Sequence, residues 1–101
     1  MICVLASIRI REGGREAFLE IFNGNVPRVR QEKGCVEYFP AIDIESGISA
    51  QNLDERVVTV IEKWQSMAMF REHLVAPHML EYREKVKNLV EEVSLKVLQQ
   101  A

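Results

Sequence analysis

The sequence has few cysteines, and this limits the structures it can form. Only Cys3 and Cys35 occur among 101 residues, too few for the disulfide framework that stabilises many small secreted domains. Both lie at the start of predicted strands, and a third strand separates these two. The distance between their Cα atoms should therefore exceed the roughly 7 Å that a disulfide tolerates. We therefore expect two reduced thiols, as in a cytoplasmic protein.

We expect no segment of this sequence to direct it into a membrane or to secretion. No apolar run approaches the roughly 18 to 20 residues that span a bilayer. The stretch from Met1 to Ile10 has no basic leader before its apolar residues, and its alternation is typical of a strand. We expect a soluble, cytoplasmic protein without a membrane partner.

Clusters of basic residues are absent as well. The longest is Arg28-Val29-Arg30, and the formal net charge is −2. A nucleic-acid-binding domain needs a basic patch or stripe to neutralise phosphates. We therefore expect no nucleic-acid partner.

Glycine and proline are scarce, with five and three residues, so the chain is neither collagen-like nor of low complexity. Hydrophobic residues make up 48% and charged residues 28%, as in an ordinary globular domain. A chain of 101 residues has room for one hydrophobic core. We predict a single domain over residues 1–101.

Four segments have the composition of strands: Ile2–Arg11, Cys35–Ile42, Arg56–Trp64 and Val93–Leu98. The third is the richest in β-branched residues and is predicted to be central. Pro40 marks the second as an edge strand or a bulge, because proline cannot donate to a sheet ladder.

Two helical regions separate these strands. The spacing of Phe18 and Phe22 predicts a helix that Gly24 and Pro27 kink or restart, ending near Lys33-Gly34. In the second region, Ser66 is predicted to cap a short helix and Pro77 to begin another. The apolar face of this last helix is predicted to contain Leu80, Tyr82, Val86, Leu89 and Val90.

The order β-α-β-β-α-β predicts an α+β, ferredoxin-like fold, in which helices cover one face of an antiparallel sheet. The other face would expose the apolar residues of either the Val4 or the Leu5 set, and of either the Val57 or the Val58 set. Soluble monomers rarely expose several hundred Å² of apolar surface. We therefore predict a homodimer packed sheet to sheet, with two-fold symmetry.

The residues best suited to chemistry are concentrated where the third strand meets the helices. Trp64, the only tryptophan, closes that strand, and both histidines follow in the segment His73–Met79. Together with Glu32–Tyr38, the Glu-x-Trp strand end and the His-Leu-x-x-Pro-His segment resemble the antibiotic biosynthesis monooxygenase family, especially its small quinol monooxygenases. The resemblance extends over nearly the whole chain and implies a dimeric α/β barrel that oxidises phenols or quinols with O₂ and no cofactor.

Trp64 and His73 are the candidate catalytic residues. The resemblance implies that Trp64 lines a cavity between sheet and helices, where its indole faces can stack a planar ligand. A neutral imidazole can accept a phenol proton near pH 7, because its reference pKa is about 6.5. A histidine at the place of His73 is also catalytic in the similar isomerase of the autoinducer-2 pathway. The alternatives are a core aromatic for Trp64 and a helix-face residue without chemical duty for His73.

The candidate substrate contacts are Tyr38, Glu62, Phe70, His78 and Met79. Glu62 faces either an imidazole or solvent, and only one of Tyr38 and Phe39 can face the cavity, because strand neighbours alternate. His78 contacts substrate, fixes the start of its helix or reaches a neighbouring subunit.

No metal or other cofactor is expected. Five residues apart on a helix, His73 and His78 would diverge by about 140°, unlike the i, i+4 pairs that bind metals. The resemblance includes a haem-degrading branch with an asparagine on the first strand and a histidine late in the last helix. Alignment places Ala6 and Arg83 there, so the axial ligand is missing.

These observations predict a cofactor-independent monooxygenase acting on a small aromatic quinol or polyphenol and O₂. This oxidation requires few catalytic groups from the protein, because a deprotonated quinol can itself donate an electron to O₂. The alternatives are a dimer that only binds a small ligand and an isomerase of a small hydroxy-ketone, because one fold hosts many functions.

Overall fold

The computed structural model describes all residues from Met1 to Ala101. Its strands are β1 (Ile2–Ile10), β2 (Cys35–Ile42), β3 (Val57–Trp64) and β4 (Val90–Leu98). Its helices are α1 (Arg15–Arg30), α2 (Met67–Leu74) and α3 (Pro77–Val86). The order β-α-β-β-α-β, with the second helical region split in two, confirms the ferredoxin-like fold. None of the three helices is long and apolar enough to cross a membrane.

The four strands form one sheet in the order β2-β3-β1-β4, with every neighbouring pair antiparallel. The predicted central strand β3 therefore lies between β2 and β1. Because β3 separates β1 from β2, Cys3 and Cys35 are on non-adjacent strands and both are free thiols. Pairing of Val4 with Glu62 and of Ala6 with Val60 sets these side chains on the same face.

Helix α1 differs from the sequence prediction in one respect. It runs without interruption through Gly24 and Pro27 and ends at Arg30, before Lys33-Gly34. Proline removes one backbone donor and glycine lowers helix propensity, but both residues lie on the exposed side. The buried side is continuous and consists of Phe18, Phe22, Val26 and Val29. Tertiary packing of that side keeps the helix intact.

The second helical region confirms both predicted starts. The Ser66 hydroxyl accepts a hydrogen bond from the Met69 backbone N–H at 3.3 Å, and Pro77 occupies the first turn of α3. The predicted apolar face of α3 was wrong in two ways. Leu80 is 56% exposed while Met79 is buried, and both Leu89 and Val90 lie beyond the end of α3 at Val86. Val90 belongs to β4, which begins three residues earlier than predicted.

The core lies between the sheet and the helices. On β1 and β3 it is the Val4 set and the Val58 set that face the helices. Their alternation places Glu62 and Trp64 on the same buried face as Val58 and Val60. The carboxyl group of Glu62 therefore lies in an otherwise apolar interior.

Two apolar surfaces remain uncovered. The first is the sheet face opposite the helices, which we call the open face; its apolar members are Leu5, Phe39, Val57, Ile61 and Leu98. The second lies on edge strand β4, where Val93, Leu95 and Val97 share the helix-side face of the sheet but are 43% to 56% exposed. The helices therefore cover less of the sheet than the sequence prediction assumed.

A tight turn connects α1 to β2. Gly34 has φ +86°, in the left-handed region that favours glycine, and a Cβ atom there would overlap the Met69 side chain. Its carbonyl oxygen accepts a hydrogen bond from the Gln65 backbone N–H at 2.9 Å. The turn therefore packs directly against the start of α2, and it brings Glu32 close to that helix.

Candidate active site

A cavity of about 440 Å³ lies between the helix-side face of the sheet and helices α2 and α3. Most residues of its wall are hydrophobic. Its ionisable wall residues are Tyr38, Glu62, His73, Tyr82, Arg83 and Lys87. Glu62 and His73 are buried, whereas Arg83 and Lys87 are exposed and mark the mouth. An apolar cavity of this size with a few converging polar groups is typical of a small-molecule site.

Aromatic rings form much of the cavity wall. Phe22 stacks on Tyr38, with 5.5 Å between ring centroids, and meets Tyr82 edge to face at 5.6 Å. Phe70 lies beside His73, with centroids 6.2 Å apart. Aromatic rings in these arrangements stabilise one another and offer flat apolar surface. The cavity is therefore suited to a planar apolar ligand.

Glu62 is the buried carboxyl group of the cavity. It is 5% exposed, and its Oε1 accepts a hydrogen bond from the Trp64 indole N–H at 3.0 Å. Burial raises the pKa of Glu62 to about 7, because the ionised form loses its hydration; the Trp64 hydrogen bond opposes this shift. A carboxyl group with this pKa can both give and take a proton near neutral pH.

His73 is the imidazole of the cavity. It is 2% exposed, and its Nδ1 lies 2.7 Å from Oε2 of Glu32. Burial lowers the pKa of His73 below its usual value, while the hydrogen bond and the charge of Glu32 act in the opposite direction. Near neutral pH the ring is therefore uncharged and can act as a base.

The carboxylate of Glu32 also approaches the second histidine. Its Oε2 lies 3.3 Å from Nε2 of His78, whose Nδ1 is 3.2 Å from the Asn25 amide nitrogen. His78 lines a separate cavity of about 200 Å³ on the outside of α1 and α3, with polar and charged neighbours. The structure therefore places His78 outside the main cavity.

Five of the seven candidate residues line the main cavity: Tyr38, Glu62, Phe70, His73 and Met79. Of the two open choices, Tyr38 faces the helices while Phe39 lies on the open face, and Glu62 faces inward. The structure does not bring Trp64 or His78 to the cavity wall.

Trp64 lies behind the wall. Its side chain is fully buried, its N–H is used by Glu62, and its ring is tilted against His73 with 4.7 Å between centroids. A fully buried indole has no free face for a ligand, so the expected stacking of substrate on Trp64 needs correction. The aromatic surface that the cavity offers comes from other rings, among them Phe22 and Tyr82.

The sequence pattern does not single out Glu32, Phe22 or Tyr82 as site residues. Phe22 and Tyr82 occur at ordinary core positions of amphipathic helices, which carry no functional signal. Glu32 and His73 are 41 positions apart, so nothing local connects them. Among the described residues, no group of three or more His, Cys, Asp or Glu side chains has the arrangement of a metal site.

Fold and site together define a class of protein: a ferredoxin-like domain that encloses an aromatic-walled cavity with a buried carboxyl group and a buried imidazole. The family model described as antibiotic biosynthesis monooxygenase matches residues 1–85. The chain belongs to this family, which confirms the resemblance seen in the sequence.

Individual relatives agree with this assignment. The chain is 41% identical over 101 residues to the Escherichia coli protein called Probable quinol monooxygenase YgiN, covering 98% of this chain and 97% of that protein. The crystal structure of SO0527 from Shewanella oneidensis is 28% identical, with a TM-score of 0.82 over 98% of this chain and 89% of the other. The crystal structure of PA3566 from Pseudomonas aeruginosa, at 23% identity, has the same fold, with a TM-score of 0.82 over 99% and 93%.

Proposed function

We propose that the chain is a cofactor-independent monooxygenase that oxidises a small quinol or polyphenol with O₂. The main observation supporting this is the cavity itself, which combines aromatic walls with only one buried carboxyl group and one buried imidazole. The name of the 41% identical Escherichia coli protein supports the quinol as substrate. Such a substrate matches the planar, mostly apolar space.

The chemistry that this proposal requires is balanced without an external reductant. Removal of a phenol proton gives a quinolate, which transfers an electron to O₂. One oxygen atom then forms a new C–O bond on the ring and the other leaves as water. The quinol becomes a hydroxyquinone, and all four electrons that O₂ accepts come from the substrate.

The protein's part is to bind the ring, exclude water and move protons. Nε2 of His73 takes the phenol proton, and Glu62 is the second proton-transfer group. Trp64 acts indirectly, because it holds Glu62 by a hydrogen bond and supports the His73 ring by packing. Tyr38, Phe70 and Met79 contact the substrate from the cavity wall. His78 lies beside Glu32 and outside the main cavity, so it does not touch the substrate.

Oxygen uptake by the purified protein tests this function. With a panel of quinols in air, we expect saturable O₂ consumption, and with ¹⁸O₂ we expect one labelled atom in the product and one in water. Metal analysis and chelator treatment of the same sample check that no metal is needed. Hydrogen peroxide as the sole reduced product, or no uptake with any quinol, would contradict the proposal.

Repeating the experiment without O₂ addresses the two alternative functions, an isomerase and a binding module. Turnover of a small hydroxy-ketone without O₂ would identify an isomerase, for which Glu62 and His73 would be the acid–base pair. Saturable binding without any turnover would identify a binding module. The single-domain and cytoplasmic interpretations stay predictions.

We also propose a homodimer formed through the open face. Leu5, Ile61 and Phe39 lie side by side across three strands of this face, and no helix covers them. Sedimentation equilibrium should give twice the mass of 11.6 kDa. Ile61→Glu should shift the protein towards monomer, because it buries an unpaired charge at the contact.

Val75→Glu is the matched control for this interface, because it adds the same charge at a 69% exposed position on the helical side. It should leave the dimer intact. A monomeric wild-type protein, or equal dissociation of both variants, would argue against an interface at the open face.

A further inference from the structure

One carboxylate oxygen of Glu32 lies between the two histidines of the chain. Oε2 is 2.7 Å from Nδ1 of His73 and 3.3 Å from Nε2 of His78. Glu32 is 17% exposed, and it is not part of the cavity wall. It therefore touches the candidate base from behind and cannot touch a ligand in the cavity.

The Glu32 contact determines which nitrogen of His73 carries the proton. An ionised carboxylate only accepts hydrogen bonds, so Nδ1 must donate and the neutral ring keeps its lone pair on Nε2. The same carboxylate stabilises the imidazolium that forms once Nε2 has taken a proton. A carboxylate behind a catalytic imidazole has this orienting role in many enzymes.

His78 has a buried ring nitrogen without a hydrogen-bond partner. The Asn25 amide N–H₂ donates to Nδ1 of His78, which places the proton of the neutral ring on Nε2. This nitrogen is buried and makes no hydrogen bond, although Oε2 of Glu32 lies 3.3 Å away. Its distance of 3.3 Å from Oε2 lets His78 share the negative charge of Glu32 with His73, and the charge of His78 lowers the pKa of His73.

We propose that Glu32 is the positioning residue of the site, holding His73 as the Nδ1–H tautomer with Nε2 free to accept a proton, and that His78 modulates this role by sharing the same carboxylate oxygen. The catalytic meaning of this arrangement rests on the proposed function. The tautomer of His73 and the competition between the two rings do not depend on that function, because they follow from the contacts of Glu32 with His73 and His78.

The protonation of His73 also responds to the other groups around it. The charges of His78 and Arg83 on α3 lower the pKa of His73, and Tyr38, Glu62 and Tyr82 line the same cavity. Among them, none hydrogen-bonds to the ring, whereas Glu32 does. Substitutions of Glu32 and His78 should therefore have separate and opposite effects on the pKa of His73.

Nitrogen-15 NMR of the two imidazoles in the full-length protein, without substrate, tests the proposal. His78→Gln assigns the spectrum, because the chain has two histidines. In the wild type we expect the Nδ1–H tautomer for His73. Glu32→Gln should weaken the preference for Nδ1–H, because an amide can either accept from Nδ1–H or donate to an unprotonated Nδ1. It should also lower the pKa of His73 by about 1 to 3 pH units through loss of the charge. His78→Gln should keep the tautomer and raise that pKa.

Opposite shifts distinguish this role from general structural damage, which would move both variants in the same direction. A wild-type Nε2–H tautomer, or no change of tautomer and pKa in Glu32→Gln, would overturn the proposal. If Glu32→Gln does not fold, His78→Gln still tests whether the two histidines share the Glu32 carboxylate. An unchanged or lowered pKa of His73 in that variant would contradict the sharing.

Kinetics give a second readout. Glu32→Gln should lower kcat with a quinol by about 10²- to 10⁴-fold with little change in KM, and Glu32→Asp should restore part of the rate because it keeps a carboxylate. Equal losses in the two variants would contradict the positioning role. If the wild type consumed no O₂, the proposed function would fail, whereas the NMR result would still decide the role of Glu32.

Discussion

His73→Gln is expected to lower the rate of quinol-dependent O₂ consumption by about 10²- to 10⁴-fold, the usual contribution of a general base. The glutamine amide can still donate a hydrogen bond to Glu32 and nearly fills the volume of the buried ring. It cannot accept a proton near neutral pH. The loss should therefore appear in kcat across the neutral pH range, measured with an oxygen electrode.

Glu72→Gln is the matched control, because Glu72 precedes His73 on α2 and is exposed. It should leave the rate within about twofold of the wild type, since surface substitutions of this kind change little. A His73→Gln variant with nearly full activity would remove the imidazole from the mechanism. Glu62 would then be the remaining buried acid–base group of the cavity.

Glu62→Gln is expected to stabilise the fold at about pH 8 and to have little effect on stability at about pH 4. The pKa of Glu62 is about 7 in the folded protein, against 4.5 for the free group. Between these values the folded carboxyl group holds its proton while the unfolded one loses it, so stability falls as pH rises, and above about pH 7 the whole loss is present. That loss is about 3 kcal/mol, and glutamine avoids it because it is neutral in both states.

Urea unfolding at both pH values, at one protein concentration, measures this difference. The concentration must be fixed because dimer formation would add to the apparent stability. Glu20→Gln, an exposed position on α1, should show no comparable gain at the higher pH. Equal pH profiles for the wild type and Glu62→Gln would mean that Glu62 is ionised in the folded protein at little cost. The same substitution should reduce turnover, because an amide side chain at this position cannot exchange a proton.

Secondary structure was predictable where local pattern and packing agree. The alternation in β1 and the β-branched run in β3 identify both strands, and Ser66 and Pro77 mark the starts of α2 and α3. Prediction failed where packing overrides local preference. Helix α1 continues past Gly24 and Pro27 because its opposite side is anchored in the core.

The candidate site was predictable in part, for a similar reason. Tyr38, Glu62 and His73 belong to the three segments that carry the family resemblance, and the structure brings them to one cavity. The family resemblance implied a ligand contact for Trp64 as well. The alternation of β3 turns both Glu62 and Trp64 inward, but the Trp64 ring is covered by α2. Glu32 could not be found from the sequence, because its function depends on a contact made across the turn at Gly34.

By itself, the sequence determined the order of strands and helices and the family of the protein, because alternation, helix caps and motifs are properties of neighbouring residues. Only the tertiary structure decided which face of each strand is buried, that Trp64 supports the cavity wall from behind, and that Glu32 joins His73 to His78. These are contacts between residues far apart in the chain. They are selected by the packing of helices on a sheet, and the free energy of that packing cannot be read from any one segment.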